Sequence, residues 1–204
     1  MTIKILAPNN KAVIKEIVYL HKTLLPDSRV TKLGPFFLEK FYYSKLPAND
    51  LIQCAFYLYE QKPVGFIAYT NHATDFLSRG LRNNFVYLFG ISLWSVLQKP
   101  SRLSQIVSVL RMMFDTKNSN MAEEIYDGEI LSLGVLPQYR NLKFIQKSGV
   151  RISYDLFNYA KDFFYQNKLT KFRMLIQTDN KEASFFYHSL GCKFHHSCPK
   201  TGLE

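Results

Sequence analysis

The stretch GEILSLGVLPQYRNLKFIQKSG, residues Gly128–Gly149, contains the change of pattern that decides the fold. Its first half is an apolar run typical of a strand buried on both faces. The members of that run are Ile130, Leu131, Leu133, Val135 and Leu136. Pro137 ends the strand, because proline donates no ladder hydrogen bond and restricts the residue before it. A polar, basic loop follows, and a helical period begins at Gly149. A strand, a basic loop and a helix N-terminus in this order favour phosphate binding.

This stretch resembles the GNAT superfamily of acetyl-CoA-dependent N-acetyltransferases. Those enzymes carry a strand that ends in a Val-x-Pro-x-Tyr-Arg-like pattern. The same spacing is filled here by Val135, Pro137, Tyr139 and Arg140. The family continues with a Gln/Arg-x-x-Gly-x-Gly/Ala loop that holds the coenzyme pyrophosphate. Gln146 and Gly149 match that loop, whereas Arg151 takes its last small position and Asn141–Ile145 displace it along the chain.

A second match lies at the end of the chain, where DNKEASFFYHSLGCKF resembles the closing block of the family, Asn-x-x-Ala-x-x-Phe-Tyr-x-x-x-Gly-Phe. The matching residues are Asn180, Ala183, Phe186, Tyr187, Gly191 and Phe194. The two blocks together imply an acetyl-CoA site, in which amides of the central strand polarise the thioester carbonyl. The cofactor-binding residues implied by the resemblance are Leu133, Gly134, Val135, Arg140, Gln146, Lys147, Ser148, Gly149, Val150, Arg151 and Asn180.

Two catalytic residues are implied as well. Glu129 stands at the start of the central strand, where some family members place a catalytic base, and burial there would raise its pKa into a useful range. The alternative for Glu129 is a carboxylate at a strand edge in water. Tyr187 matches the tyrosine that protonates the coenzyme sulfur, and its alternative is a packed helix aromatic. Transfer in this family is direct, within a ternary complex, so no nucleophilic serine or cysteine is expected.

Composition is consistent with a folded acetyltransferase domain. The chain has 204 residues, 47% of them hydrophobic, which predicts one domain over 1–204. The formal net charge is +10, and residues 138–173 hold eight Lys/Arg against two Asp/Glu. That excess suits a polyanion such as coenzyme A. Nucleic acid is the other usual partner of a basic chain, but no nucleic-acid-binding motif accompanies the charge, so we expect none.

The cysteines and the N-terminal residues give expectations about metal binding and about the cellular compartment. Cys54, Cys192 and Cys198 lack the two close pairs of a zinc site, so no metal is predicted. Reduced thiols and an N-terminus without a long apolar run predict a cytoplasmic protein.

Periodicity predicts a mixed α/β sheet flanked by helices, in the order β-α-α-β-β-(insert)-β-α-β-α-β. The predicted strands are 2–6, 52–59, 64–69, 130–136, 172–177 and 193–198. The predicted helices are 11–24, 36–46, 150–167 and one that follows Asn180 and ends at Leu190. This order is similar to that of the GNAT-like acyl-CoA N-acyltransferase fold, which the resemblance implies here, with a helical insert expected at about 74–120, between the third and fourth strands.

The insert carries an apolar run at 85–97 and a second helical pattern at 104–114. Three interpretations stay open: extra core helices, a lid or self-association surface near the acceptor site, and a peripheral membrane contact favoured by basic flanks. The run at 85–97 is too short to span a bilayer, which needs about 20 residues.

The acceptor side is predicted by position alone. In the family, two N-terminal helices form one wall of the acceptor site, which makes His21, Ser28, Arg29, Thr31 and Lys32 candidate contacts. An ordinary helix-face histidine is the alternative for His21. The predicted function is acetyl transfer from acetyl-CoA to a primary amine of a small molecule. A loose N-terminal similarity to acetyltransferases of surface-polysaccharide gene sets favours an amino sugar or a nucleotide-linked amino sugar. The alternative is a non-catalytic module of this fold that binds acyl-CoA or a protein.

Overall fold

The structure is a computed structural model that describes residues 2–84, 126–177 and 179–194. The chain divides into two compact units, Met1–Arg173 and Met174–Glu204. The expectation of one domain over 1–204 stays a prediction.

The centre of the first unit is a mixed sheet. Its strands are β1 (Thr2–Ile5), β2 (Gln53–Tyr59), β3 (Lys62–Thr70), β4 (Gly128–Val135) and β5 (Phe172–Met174). They lie in the order β1-β2-β3-β4-β5, and the first three neighbouring pairs are antiparallel. The predicted α/β class is confirmed, and the predicted strand at 172–177 is shorter than expected.

The hairpin between β2 and β3 is tighter than predicted. Tyr59 pairs with Lys62, so that only Glu60 and Gln61 form the turn. Both have positive φ, 49° and 64°. A two-residue turn with both central residues left-handed is the type whose twist matches the strands. Pro63, which was expected in the turn, lies in β3 instead.

Helices cover both faces of the sheet. The helices of the first unit are α1 (Lys11–Leu24), α2 (Arg29–Lys32), α3 (Pro35–Phe37), α4 (Lys45–Ala48), α5 (Phe76–Asn83), α6 (Leu142–Ser148) and α7 (Ile152–Gln166), and the second unit contains α8 (Lys181–Ser189). Neighbouring residues of β3 show the two layers, because side chains alternate along a strand. Phe66 stacks on His21 of α1, whereas a Cβ on Gly65 would lie 3.3 Å from Leu156 of α7.

The two main helices bury the faces that periodicity predicts. The predicted first and last residues of α1 are confirmed. Asn10 caps this helix, since its Oδ1 accepts a hydrogen bond from the Val13 amide. Its buried side chains are Ile14, Ile17, Val18, Leu20 and His21. The buried side chains of α7 are Ile152, Leu156, Phe157, Ala160 and Phe164. β4 therefore lies between two helical layers, as its continuous apolar run indicates.

The segment predicted as one helix at 36–46 is broken. A π-helical turn, Leu38–Tyr42, separates α3 from α4. Such turns are rare and occur often at functional sites. This one places two consecutive tyrosines, Tyr42 and Tyr43, in the core, where they are 2% and 0% exposed.

The ends of the chain and the insert are described only in part. Lys193 and Phe194 are not in a strand, and the rest of the strand predicted at 193–198 lies outside the described residues. The described beginning of the insert forms α5. The runs at 85–97 and 104–114, with the proposed lid, self-association and membrane roles, also lie outside the described residues.

Candidate functional site

β4 carries an irregularity at its centre. Ser132 lies opposite Ala68 and Ile130 opposite Tyr69, so that Leu131 is one residue more than β3 can pair. A bulge of this kind bends the strand and re-aims the residues on either side of it. The bulge lies between Glu129 and the residues Leu133, Gly134 and Val135. The family resemblance implies that backbone amides of this strand polarise the thioester carbonyl.

Glu129 is buried and ion-paired. Its side chain is 9% exposed, and its Oε2 accepts a bond of 3.0 Å from Nε of Arg173 on β5. Burial raises the pKa of Glu129, and the charge and hydrogen bond of Arg173 oppose that rise. The structure therefore rules out the alternative of a strand-edge carboxylate in water. A base role for Glu129 stays a prediction.

The segment after β4 is not the loop that the sequence predicts. Pro137–Tyr139 is a 3-10 turn, and Leu142–Ser148 is the helix α6. Asn141 caps α6 with a bond of 2.9 Å from the Phe144 amide, and Gly149 ends it with φ 70°. Gln146, Lys147 and Ser148 were expected in a pyrophosphate loop and instead lie in the last turns of a helix. Gly149 ends a helix where it was expected to begin one, because its left-handed conformation cannot continue the helix.

Ser148 and Val150, both predicted phosphate ligands, are hydrogen-bonded to each other. The Ser148 hydroxyl donates to the Phe144 carbonyl at 2.8 Å and accepts from the Val150 amide at 3.2 Å. Arg140, Gln146, Lys147 and Arg151 are exposed. The free N-terminal amides of α7 come after Arg151, which provides no side-chain cap. Arg151 therefore does not cap the positive end of α7, and the anion site that the sequence predicts at this helix stays a prediction.

Three aromatic rings explain why α6 forms. Tyr59, Tyr139 and Phe144 lie with ring centroids 5.2 to 5.4 Å apart in all three pairs. Each pair of this kind adds about 0.5–1.5 kcal/mol beyond area burial. These ring contacts join the β2–β3 hairpin to the 3-10 turn and α6. They therefore connect parts of the chain that are distant in sequence. Local sequence signals for α6 existed in its asparagine cap and its terminal glycine.

On the other face of the sheet, His21 is the centre of a buried hydrogen-bond chain. Its Nδ1 lies 2.6 Å from the Tyr43 hydroxyl and its Nε2 lies 3.2 Å from Ser28 Oγ. Thr31 donates to the Leu25 carbonyl and Ser28 donates to Thr31. Since each hydroxyl has one proton, Ser28 must accept from His21 Nε2–H and Tyr43 must donate to Nδ1.

These contacts decide what the predicted acceptor residues do in this structure. His21, 1% exposed, ties the loop after α1 to the core. Ser28 is the N-cap of α2 through its bond from the Thr31 amide, and Arg29 is the first residue of that helix. The structure brings His21, Ser28 and Thr31 together, and an acceptor role for these residues, for Arg29 and for Lys32 stays a prediction.

We expect His21 to make the protein less stable in acid. Burial lowers the pKa of His21 to about 4, so between pH 6.5 and 4 the unfolded chain binds a proton that the folded chain does not. Stability is then complete above pH 6.5 and is lost as the pH falls, by about 3 kcal/mol at pH 4 from this group. Urea unfolding of the wild type and of His21→Gln at several pH values measures this pH dependence of the free energy of unfolding. His188→Gln, at an exposed histidine of α8, is the control, and an equal pH slope in all three proteins would contradict the assignment.

In the second unit, α8 carries the remaining predicted residues. Asn180 is its N-cap, with Oδ1 accepting from the Ala183 amide at 3.0 Å. Tyr187 is 9% exposed, its ring meets that of Phe186 edge to face at 5.2 Å, and burial raises its pKa. Gly191 follows with φ 83° and terminates this helix, which the sequence predicts to end at Leu190. Asn180 thus has a structural role, and its cofactor role stays a prediction.

The described residues contain neither a candidate metal centre nor a candidate membrane-spanning helix. No group of three or more His, Cys, Asp or Glu residues within 2–84, 126–177 and 179–194 is placed to hold a metal ion. None of the helices within the same ranges is long and apolar enough to cross a membrane.

No protein-family model and no curated protein sequence matches the chain. Solved structures do match it over its whole length. The aminoglycoside antibiotic 6'-N-acetyltransferase AAC(6')-IG from Acinetobacter haemolyticus is 15% identical, with 100% of this chain and 99% of that chain covered and a TM-score of 0.57. The aminoglycoside N-acetyltransferase AAC(6')-Iy in complex with CoA is 10% identical, with 99% and 93% covered and a TM-score of 0.59.

A third similar structure comes from a protein with a different acceptor. It is the ribosomal-protein-alanine N-acetyltransferase from Brucella melitensis biovar Abortus 2308, 9% identical, with 100% and 99% covered and a TM-score of 0.53. The surface-polysaccharide branch stays a prediction. At these identities the similarity concerns the fold, and the chain therefore has the α/β fold of the GNAT acetyltransferases.

Proposed function

We propose that the protein is an acetyl-CoA-dependent N-acetyltransferase that acts on a primary amine of a small molecule. The observation that carries the proposal is a buried carboxylate, Glu129, beside the bulge of β4 in a chain with the acetyltransferase fold. One of the similar structures is described as a complex with CoA, which supports the choice of co-substrate.

Glu129 is the proposed general base. Transfer needs a neutral amine, and a carboxylate whose pKa is raised by burial is better matched to accepting an ammonium proton near neutral pH. The thioester carbonyl would lie on the far side of the bulge, where amides of Leu133–Val135 donate to the developing oxyanion. The amine nitrogen forms its bond to the acetyl carbon, and the carbon–sulfur bond breaks.

Tyr187 is the proposed acid for the departing sulfur. Because burial raises the pKa of its phenol, Tyr187 keeps its proton at neutral pH and can donate it. This role rests on the match of the closing block.

The coenzyme phosphates are assigned to the N-terminus of α7. Four exposed residues are candidates for that contact: Arg140, Lys147, Gly149 and Arg151. Ser148 and Val150 would need to give up their mutual bond before contributing. The positive charge over 138–173 supports a ligand with several phosphates.

The acceptor class is proposed as an amino sugar, including nucleotide-linked amino sugars. AAC(6')-IG and AAC(6')-Iy are aminoglycoside acetyltransferases, and aminoglycosides are built from amino sugars. Those antibiotics are polycations, whereas residues 25–34 of this chain hold Arg29 and Lys32 against Asp27. This balance favours an acceptor that carries a negative charge.

An acceptor screen tests the function. Purified protein with acetyl-CoA and single amines is assayed for thiol release and for the mass gain of one acetyl group. We expect glucosamine 6-phosphate to be acetylated about fivefold more efficiently than sisomicin, because a charge interaction of about 1 kcal/mol changes the affinity by about that factor. A preference for sisomicin would contradict the acceptor class. If none of the amines in a broad panel causes thiol release, the function is contradicted.

One observation favours a second candidate, a non-catalytic module of this fold that binds acyl-CoA or a protein. The expected pyrophosphate loop is replaced by α6. Acetyl-CoA binding without transfer to any amine would favour that candidate.

A further inference from the structure

The ion pair of Glu129 and Arg173 is built into the edge of the sheet. The amides of Asp127 and Gly128 donate to the Lys171 carbonyl at 2.9 and 3.2 Å. Asp127 Oδ2 accepts from the amide and the hydroxyl of Thr170, both at 2.9 Å, and from the Lys171 amide at 3.3 Å. The starts of β4 and β5 are thereby fixed to each other.

This clamp places the two charged side chains together. Glu129 lies two residues beyond Asp127, and Arg173 lies two residues beyond Lys171. Two residues along a strand return to the same face. The 3.0 Å bond from Arg173 Nε to Glu129 Oε2 therefore joins two neighbouring strands whose starts are already held together by the bonds of Asp127 and Gly128. The guanidinium also lies over the Tyr126 ring, 5.4 Å from its centroid, which restricts it further.

Few other charges act on Glu129. Among the described residues, Tyr42 of the π-helical turn interacts electrostatically with it, and burial holds the Tyr42 phenol in its neutral form by raising its pKa. Neither α1 nor α7, the helices packed on β4, contributes a charge that shifts the Glu129 pKa. Arg173 is thus the one cation that opposes the desolvation of Glu129 within the described residues.

We propose that Arg173 is a positioning residue for the base, which keeps Glu129 ionised and aims one carboxylate oxygen while leaving Oε1 for the amine. The inference rests on the proposed function and adds to it a residue that the sequence analysis did not single out. Without the cation, burial would raise the pKa of Glu129 further, and the protonated form of the carboxyl cannot accept the ammonium proton.

The test compares the wild type, Arg173→Gln and Arg173→Lys. The acidic limb of the kcat/KM profile, with glucosamine 6-phosphate as acceptor, should move up by about 1 to 3 pH units in Arg173→Gln, the usual effect of losing an opposite charge at this distance. Arg173→Lys should restore part of the shift, because it keeps the charge. Arg79→Gln removes an exposed Nε–carboxylate pair, with Asp75, and serves as the matched control.

A second readout does not depend on activity. The carboxyl carbon of Glu129 is titrated by NMR in protein labelled at glutamate, with Glu129→Gln used to identify the signal. An upward shift of the titration midpoint of Glu129 in Arg173→Gln supports the inference even if no acceptor is found. The lack of an acceptor would count only against the proposed function. An active Arg173→Gln with an unmoved acidic limb and an unmoved carboxyl midpoint would overturn the inference and leave the function standing.

Discussion

Replacing Glu129 by glutamine is expected to lower kcat by about 10² to 10⁴-fold, the usual contribution of a general base. The substitution keeps the shape of the side chain and its ability to accept from Arg173 Nε, while it removes the group that takes the amine proton. Affinity for acetyl-CoA should stay unchanged, since Glu129 has no proposed contact with the coenzyme. Steady-state kinetics across pH and a binding titration measure the two quantities.

The control for this substitution is Glu16→Gln, at an exposed position of α1. Because burial raises the pKa of Glu129, wild-type activity should increase with pH through that pKa, as the carboxyl ionises. Glu129→Gln should lack this limb. A Glu129→Gln enzyme with wild-type kcat and an unchanged acidic limb would show that the carboxylate is only a structural partner of Arg173.

Replacing Tyr187 by phenylalanine is expected to lower kcat by about 10²-fold, because the departing thiolate would lose its proton donor. The ring stays, so its edge-to-face contact with Phe186 and the fold of α8 should persist. The KM for acetyl-CoA should change little. Kinetics with saturating amine measure the effect, and Tyr165→Phe is the control, since Tyr165 is 85% exposed. Full activity in Tyr187→Phe would assign the residue to packing alone.

Patterns that depend on neighbouring residues gave the best predictions. The bounds of α1 follow from its periodicity and its asparagine cap, and the terminating role of Gly191 follows from its place after a helical run. These features need only the local sequence and the rule that apolar faces are buried. For Glu129 the local sequence left burial and a water-exposed strand edge both open, and the structure shows that the side chain is buried.

Other features depend on contacts between distant segments. The ion pair with Arg173 needs the register of β4 against β5, which periodicity does not give. The π-helical turn at Leu38–Tyr42 follows from the packing of two tyrosines into the core. For α6 the local signals were present at both ends, but the family pattern predicts a phosphate loop for the same residues.

The most direct test of the account is calorimetric titration of the purified protein with acetyl-CoA. We expect saturable binding with a Kd on the order of 1 μM to 1 mM. The Lys147→Ala, Gly149→Glu double variant should bind more weakly, because it removes a cation and places an anion near the N-terminus of α7. Lys15→Ala, at an exposed position of α1, should bind as the wild type does. Full binding by the double variant would move the phosphate contact to residues 139–143. No binding by folded wild-type protein would contradict the account, since the chain would then have the fold without the co-substrate.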